Sequence, residues 1–224
     1  MKILSTFLFL LLLTVSNLAA QHANAEFEKE FDRAEKIFSK VYQDGKDEAL
    51  TTSRGAYVQL IPIYIELYKQ EPDNMNIAFK LGVCYLSSRS ERASAIIYFS
   101  KAVTAVSADH KGSSDKEKHA PLIAWKFLGD AYHLDYQFDK AIEAYEKFIN
   151  VMADNKNTDK VLVSATNRKI EMCKTGKSLV ANPVKVKIEN LGNTVNSPYG
   201  DYSMVLSADQ NTLFFTSRRP ESTG

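Results

Sequence analysis

Apolar residues recur at helical spacing along most of this chain. Phe27, Phe31, Ala34, Phe38 and Val41 follow alternating steps of four and three, which is one face of an amphipathic helix. Ala56, Leu60, Tyr64 and Leu67 form a second stripe, with Pro62 inside it. Proline lacks a backbone N–H and clashes with the preceding turn, so Pro62 predicts the start of the regular helix or a kink in it. Pro72-Asp73 ends the segment, and helical spacing then continues to about Ser178, with a last helix near Asp159–Lys174. Past about Ala181 the period changes to two. Val184, Val186 and Ile188 alternate with Lys185 and Lys187, which predicts a strand. Asn196–Asp201 carries turn residues. Ser203–Leu206, Ser207–Asn211 and Thr212–Thr216 then read as strand, turn, strand.

The first 25 residues have a different character. Lys2 precedes an unbroken apolar run from Phe7 to Leu13, followed by small-residue exits at Leu18-Ala19-Ala20 and Ala23-Asn24-Ala25. This is the layout of a secretory signal peptide, and the run is short for a membrane span. Cleavage before Gln21 or Glu26 is expected, and a retained anchor helix is the alternative. The first cysteine is Cys84, which speaks against a lipid-anchoring cysteine at the cleavage point.

A repeat is legible in the helical part. Trp125, Leu128, Gly129 and Tyr132 are followed by Ala141, Tyr145 and Phe148. With position 1 at Leu122 this spacing resembles the tetratricopeptide pattern in all but its last small residue, where Phe148 stands. Small residues let two helices approach closely, and aromatics fill the space to the next helix. Leu81, Gly82 and Tyr85 repeat the signature from Met75, and Ala95, Phe99 and Ala102 arrive one residue late. A longer turn in Ser87–Glu91 and a polar insertion, Ala108–His119, account for the distance between the two starts. The expected fold is mainly α. It comprises a tetratricopeptide-type helical solenoid over residues 26–178, after the signal peptide of residues 1–25. Residues 179–224 are a linker and the start of a β-propeller, its first blade only.

Composition narrows the function. With 28 Lys+Arg against 27 Asp+Glu, the chain has no net basicity to attract nucleic acid. At 45% hydrophobic residues, its 224 residues suffice for a real core. Two cysteines cannot build a disulfide-dense scaffold or a four-cysteine zinc site. After export, Cys84 and Cys173 could bond. The plainer reading is one buried apolar-like thiol and one thiol of undetermined exposure.

The segment Asn190–Tyr202, with Ser207-Ala208-Asp209 and Leu213-Phe214-Phe215-Thr216-Ser217 before Arg219, resembles the opening blade of a TolB-like, WD-type β-propeller. Asn74–Leu86 is similar to the N-terminal repeats of exported cell-envelope proteins that carry tetratricopeptide repeats, then a propeller, then often an OmpA-like peptidoglycan-binding domain. Some members serve type IX secretion and gliding. The resemblance covers about residues 30–224, and the sequence stops inside the first blade. It implies a non-enzymatic scaffold of the periplasm or outer-membrane envelope, docking a protein or peptide partner through its repeats, with no nucleic acid and no membrane span after signal cleavage. Rival readings are an enzyme whose catalytic domain, such as a propeller-associated peptidase, lies beyond residue 224, and a nutrient-uptake lipoprotein.

No Gly-rich phosphate loop, Gly-x-Ser-x-Gly elbow or His-Glu-x-x-His occurs, so no catalytic residue, cofactor or metal is expected. His110 and His119 with Asp109, Asp115 and Glu117 match no ligand spacing, and the insertion reads as a solvated loop. The expected binding surface is the groove lined by the first helix of each repeat. Its candidates are Asn76, Phe79, Val83, Leu86 and Ser87, then Ile123, Lys126, Asp130, His133 and Leu134. Asn76 could bond a peptide main chain, Phe79 offers an apolar floor and Lys126 could meet a carboxylate. The competing reading buries Phe79, Val83 and Leu86 and pairs Lys126 with Asp130 four residues on.

Overall fold

The computed structural model describes residues 2–42, 54–88, 91–153, 155, 159–193 and 195–221. These form seven helices and two small two-stranded sheets. In order they are α1 (Lys2–Val41), α2 (Arg54–Gln70), α3 (Met75–Ser87), α4 (Arg92–Ala102), β1 (Val106–Ser107), β2 (Ala120–Pro121), α5 (Ala124–Leu134), α6 (Phe138–Ala153), α7 (Lys160–Ala181), β3 (Asp201–Leu206) and β4 (Leu213–Ser217). The chain divides into two compact units, Met1–Ala181 and Asn182–Gly224.

In the helical unit each helix packs on the next, from α1 to α7. The α1 helix runs without a break from Lys2, and Phe27, Phe31, Ala34 and Phe38 form a buried stripe along it, as the spacing predicts. In α2 the buried positions are Tyr57, Leu60, Tyr64 and Leu67. Tyr57, not Ala56, begins that stripe, because steps of three, four and three keep the large side chains on one face. Pro62 does not start the helix, which begins at Arg54. Every residue of α3 is buried, so this helix lies in the middle of the core. It starts at Asn74, whose Oδ1 accepts the Ile77 N–H at 3.1 Å. Phe79, Phe99 and Phe127, one each from α3, α4 and α5, form a triangle with centroids 5.7–6.1 Å apart. Burying each such ring is worth about 1.5–3 kcal/mol.

Two helix pairs share one contact. A Cβ built on Gly82 of α3 would lie 2.6 Å from the Phe99 ring of α4, and one on Gly129 of α5 would lie 2.5 Å from the Tyr145 ring of α6. The small residue and the aromatic of the sequence repeat therefore meet across each pair. Gly176 makes a similar approach to the Phe138 ring and seats α7 on α6. Trp125 is half-buried, so it is less sealed than its place in the repeat pattern predicts, and neighbouring Phe127 is the fully buried ring. The last helix extends to Ala181, and most of its length faces solvent with polar side chains. Cys84 and Cys173 are both buried, free thiols, so no disulfide joins them.

The insertion is not a loose solvated loop. The β1 and β2 bridges pair in parallel, Val106 with Ala120 and Ser107 with Pro121. The Met75 N–H donates to the Lys118 carbonyl at 2.8 Å, and Lys118 pairs with Glu71. Glu117 accepts the Lys111 and His119 N–H groups, each at 2.9 Å. Partial burial pushes the Glu117 carboxyl up, but these backbone bonds outweigh it and hold the group below its ordinary value. These bonds fix the path of a largely exposed segment and tie its end to the start of α3.

The second unit is a hairpin. β3 and β4 are antiparallel, with Asp201 opposite Ser217 and Leu206 opposite Leu213. The register shifts between Tyr202 and Val205, where Ser203 takes φ 58°, a bulge geometry. Asp201 pins the base of the hairpin. It accepts from Ser217 Oγ at 2.5 Å, from the Ser197 N–H at 2.7 Å and from Ser197 Oγ at 2.8 Å. These bonds, with Arg219 nearby, hold its carboxyl well below the usual carboxylate range. The strand expected at Val184–Ile188 does not form. Those residues are exposed and no strand pairs with them, and alternation without a partner leaves the backbone to water. Tyr202, Met204, Val205, Leu206 and Phe214 are exposed, so the hairpin covers little apolar surface. The four strands of a complete blade are not present among the described residues.

Candidate functional site

The candidate groove residues are mostly inside the protein. Asn76, Phe79, Val83, Leu86, Ser87, Lys126 and Asp130 are buried, Ile123 and His133 are half-buried, and Leu134 is exposed. The structure separates them into two polar clusters and one apolar cleft.

The first cluster ties the insertion to α3. Asn76 Nδ2 donates to the Gly112 carbonyl at 3.2 Å, and Asn76 Oδ1 lies 3.0 Å from His110 Nε2. Asn76 does bond main chain, as the sequence suggests, but the main chain is the protein's own. Lys80 Nζ donates to the same Gly112 carbonyl at 2.7 Å and forms an ion pair with Glu35 of α1. Its ammonium also lies 4.8 Å from the centroid of Phe31 and 5.2 Å from that of Phe38. Burial pushes the Lys80 pKa down, and Glu35 opposes that shift. Lys80 is the residue the sequence reading missed. The only available signal was a lysine on an otherwise apolar helix, which requires a carboxylate from elsewhere in the fold.

The second cluster centres on Asp130. Lys126 Nζ and Lys169 Nζ each lie 2.9 Å from its carboxylate, and the Tyr145 hydroxyl donates to it at 2.8 Å. The i, i+4 pairing of Lys126 with Asp130 is therefore present, and the pair is buried. One carboxylate joins α5, α6 and α7. Half-buried His133, on the next turn of α5, is held below its ordinary pKa by burial and Lys169, with Asp130 opposing. Burial also raises the Cys173 thiol to about 11, so it stays protonated at neutral pH.

The first cluster borders a cleft of about 510 Å³. Phe38, Ser39 and Tyr42 of α1 and Phe79 of α3 line one part, and Phe148 and Met152 of α6 with Leu162 of α7 line another. Glu35, Lys80, His110 and Gly112 are its polar lining, and Ile123 lines it as well. This combines an aromatic and aliphatic lining with a few convergent polar groups, the usual make-up of a binding cleft. Among the described residues, no group of three or more His, Cys, Asp or Glu side chains could hold a metal ion. No described helix is long and apolar enough to cross a membrane. No protein-family model matches the chain, and no curated protein matches it.

Proposed function

We propose that this chain is an exported, non-catalytic scaffold whose helical repeats, of tetratricopeptide type, dock a protein partner in the periplasm or outer-membrane envelope, in a secretion or gliding complex. The observation that carries this reading is the cleft lined by Phe38, Tyr42, Phe79, Phe148 and Met152. Its charged groups, Lys80 and Glu35, already satisfy each other, so the surface left for a partner is mainly apolar and aromatic. Such a lining suits an aliphatic or aromatic side chain of an extended segment. The repeated Gly–aromatic contact supports the tetratricopeptide assignment. The signal-like first 25 residues support export, and the resemblance of residues 190–220 to a propeller's opening blade supports a place in the envelope family.

The test places a photo-crosslinking amino acid at Ser39, which is exposed at the cleft, in the full chain expressed in a diderm host. A discrete crosslink to one envelope protein is expected, and Ile123→Arg in the cleft lining should abolish it while the helical circular-dichroism spectrum and a cooperative melt are retained. A crosslink that survives Ile123→Arg refutes the cleft as the docking site, and recovery of the protein only in the cytoplasmic fraction refutes export.

A further inference from the structure

Tyr136 stands where the backbone favours glycine. α5 ends in a Schellman turn: the Gln137 N–H donates to the Tyr132 carbonyl at 2.9 Å, and the Tyr136 N–H donates to the His133 carbonyl at 3.1 Å. The residue between, Tyr136, has φ 59°, in the left-handed region that a side chain with a Cβ enters at a cost. The side chain does not recover that cost by burial, because Tyr136 is 72% exposed. Its ring meets Phe138 edge-on, with centroids 6.0 Å apart.

The exposed ring is one wall of a second cleft, of about 450 Å³, between the start of α6 and the end of α7. Phe138 and Val180 continue the apolar lining, and Val180 is itself 59% exposed. Two ammonium groups, Lys140 and Lys177, border it against one carboxylate, Asp139. Lys177 spans to Asp139 at 2.6 Å on the surface, an exposed pair that a competing carboxylate can exchange into at small cost.

We propose that this cleft is a second docking site, separate from the one lined by Phe79, and that it takes an aliphatic or aromatic side chain flanked by carboxylates on a partner protein. Tyr136 and Val180 grip the apolar side chain, and Lys140 and Lys177 meet the acidic flanks. A strained, exposed aromatic beside a net positive rim is an expensive arrangement for a turn that a glycine would close better, and a binding role accounts for it.

The test uses the isotope-labelled full chain and two synthetic probes, acetyl-Asp-Leu-Phe-Glu-amide and its charge-reversed counterpart acetyl-Lys-Leu-Phe-Lys-amide. The backbone amide resonances of Tyr136, Gln137 and Val180 report binding. The acidic probe should shift them saturably and the basic probe should not. Tyr136→Gly should weaken the acidic probe about tenfold, the share of one aromatic anchor, while raising the melting temperature, which shows that the variant is folded. Tyr136→Phe should bind as the wild type does. Equal shifts from both probes, or undiminished binding by Tyr136→Gly, would overturn the proposal. Shifts of the same amides on changing protein concentration alone would overturn it in favour of a second copy of the chain.

Discussion

Replacing Gly129 by alanine adds one methyl group at the tightest helix contact in the repeats. The new Cβ would lie 2.5 Å from both Cδ1 and Cε1 of Tyr145, far inside van der Waals contact. The ring has little room to retreat. Tyr145 is fully buried, and its hydroxyl is fixed at 2.8 Å from Asp130, which also holds Lys126 and Lys169. Relief requires either parting α5 from α6 or tilting the ring and weakening its bond to Asp130. Overpacking of this kind costs about 1–3 kcal/mol, and weakening a hydrogen bond to a buried charged group adds about 1–2 kcal/mol. Alanine returns about 1 kcal/mol over glycine in a helix interior. The net expectation is a loss of about 2–3 kcal/mol, or about 5–10 °C in melting temperature for a domain of this size. Thermal melts followed by circular dichroism measure it. Gly55→Ala is the control: nothing lies within 4 Å of its added methyl, so no loss is expected there. In a Tyr145→Phe background the ring is free of Asp130 and can tilt, so Gly129→Ala should cost less than it does alone. A Gly129→Ala melting temperature at or above wild type, or equal costs in both backgrounds, would refute the reasoning.

Two further outcomes are expected. Burial holds Cys84, Tyr57 and Tyr64 above their ordinary values of 9.0, 10.0 and 10.0, so the fold keeps protons that the unfolded chain releases. Their contribution is full below pH about 9, begins to be lost as pH passes the unfolded values of about 9–10, and goes on falling until the raised folded values are reached. Lys80, held below 10.5, acts oppositely and gains stability with pH just below that value, but it is outnumbered, because Tyr85 and Cys173 are raised as well. The melting temperature should therefore fall from about pH 9 upward, less steeply in Cys84→Ala, and a flat profile to about pH 11 would contradict this. Asn74→Ala removes the cap on Ile77 at the start of the central helix and should cost about 1 kcal/mol in urea denaturation, with an unchanged slope.

Periodicity determined much of this molecule in advance. The Phe27–Phe38 stripe, the facing of Gly82 on Phe99 and Gly129 on Tyr145, and the hairpin around Ser207–Thr212 follow from local spacing, which fixes which side chains share a face. Even the Lys126–Asp130 pair was legible, because i, i+4 places two side chains together on any helix. Tertiary structure alone decided the rest. Lys80 could be placed only once α1 brought Glu35 to it and the insertion brought the Gly112 carbonyl. Asn76, a plausible hook for a partner, is engaged by the same insertion, whose composition resembled solvated loop. Val184–Ile188 has strand alternation and no strand, because a β-ladder needs a neighbour that periodicity cannot supply. Tyr136 shows the limit most plainly. Its identity gave no sign of a left-handed turn, and only the backbone shows that the chain adopts one there and leaves the ring exposed. Spacing along one helix is a local property of the chain, whereas the partner of a buried charge, an unpaired strand or a strained turn depends on segments distant in sequence.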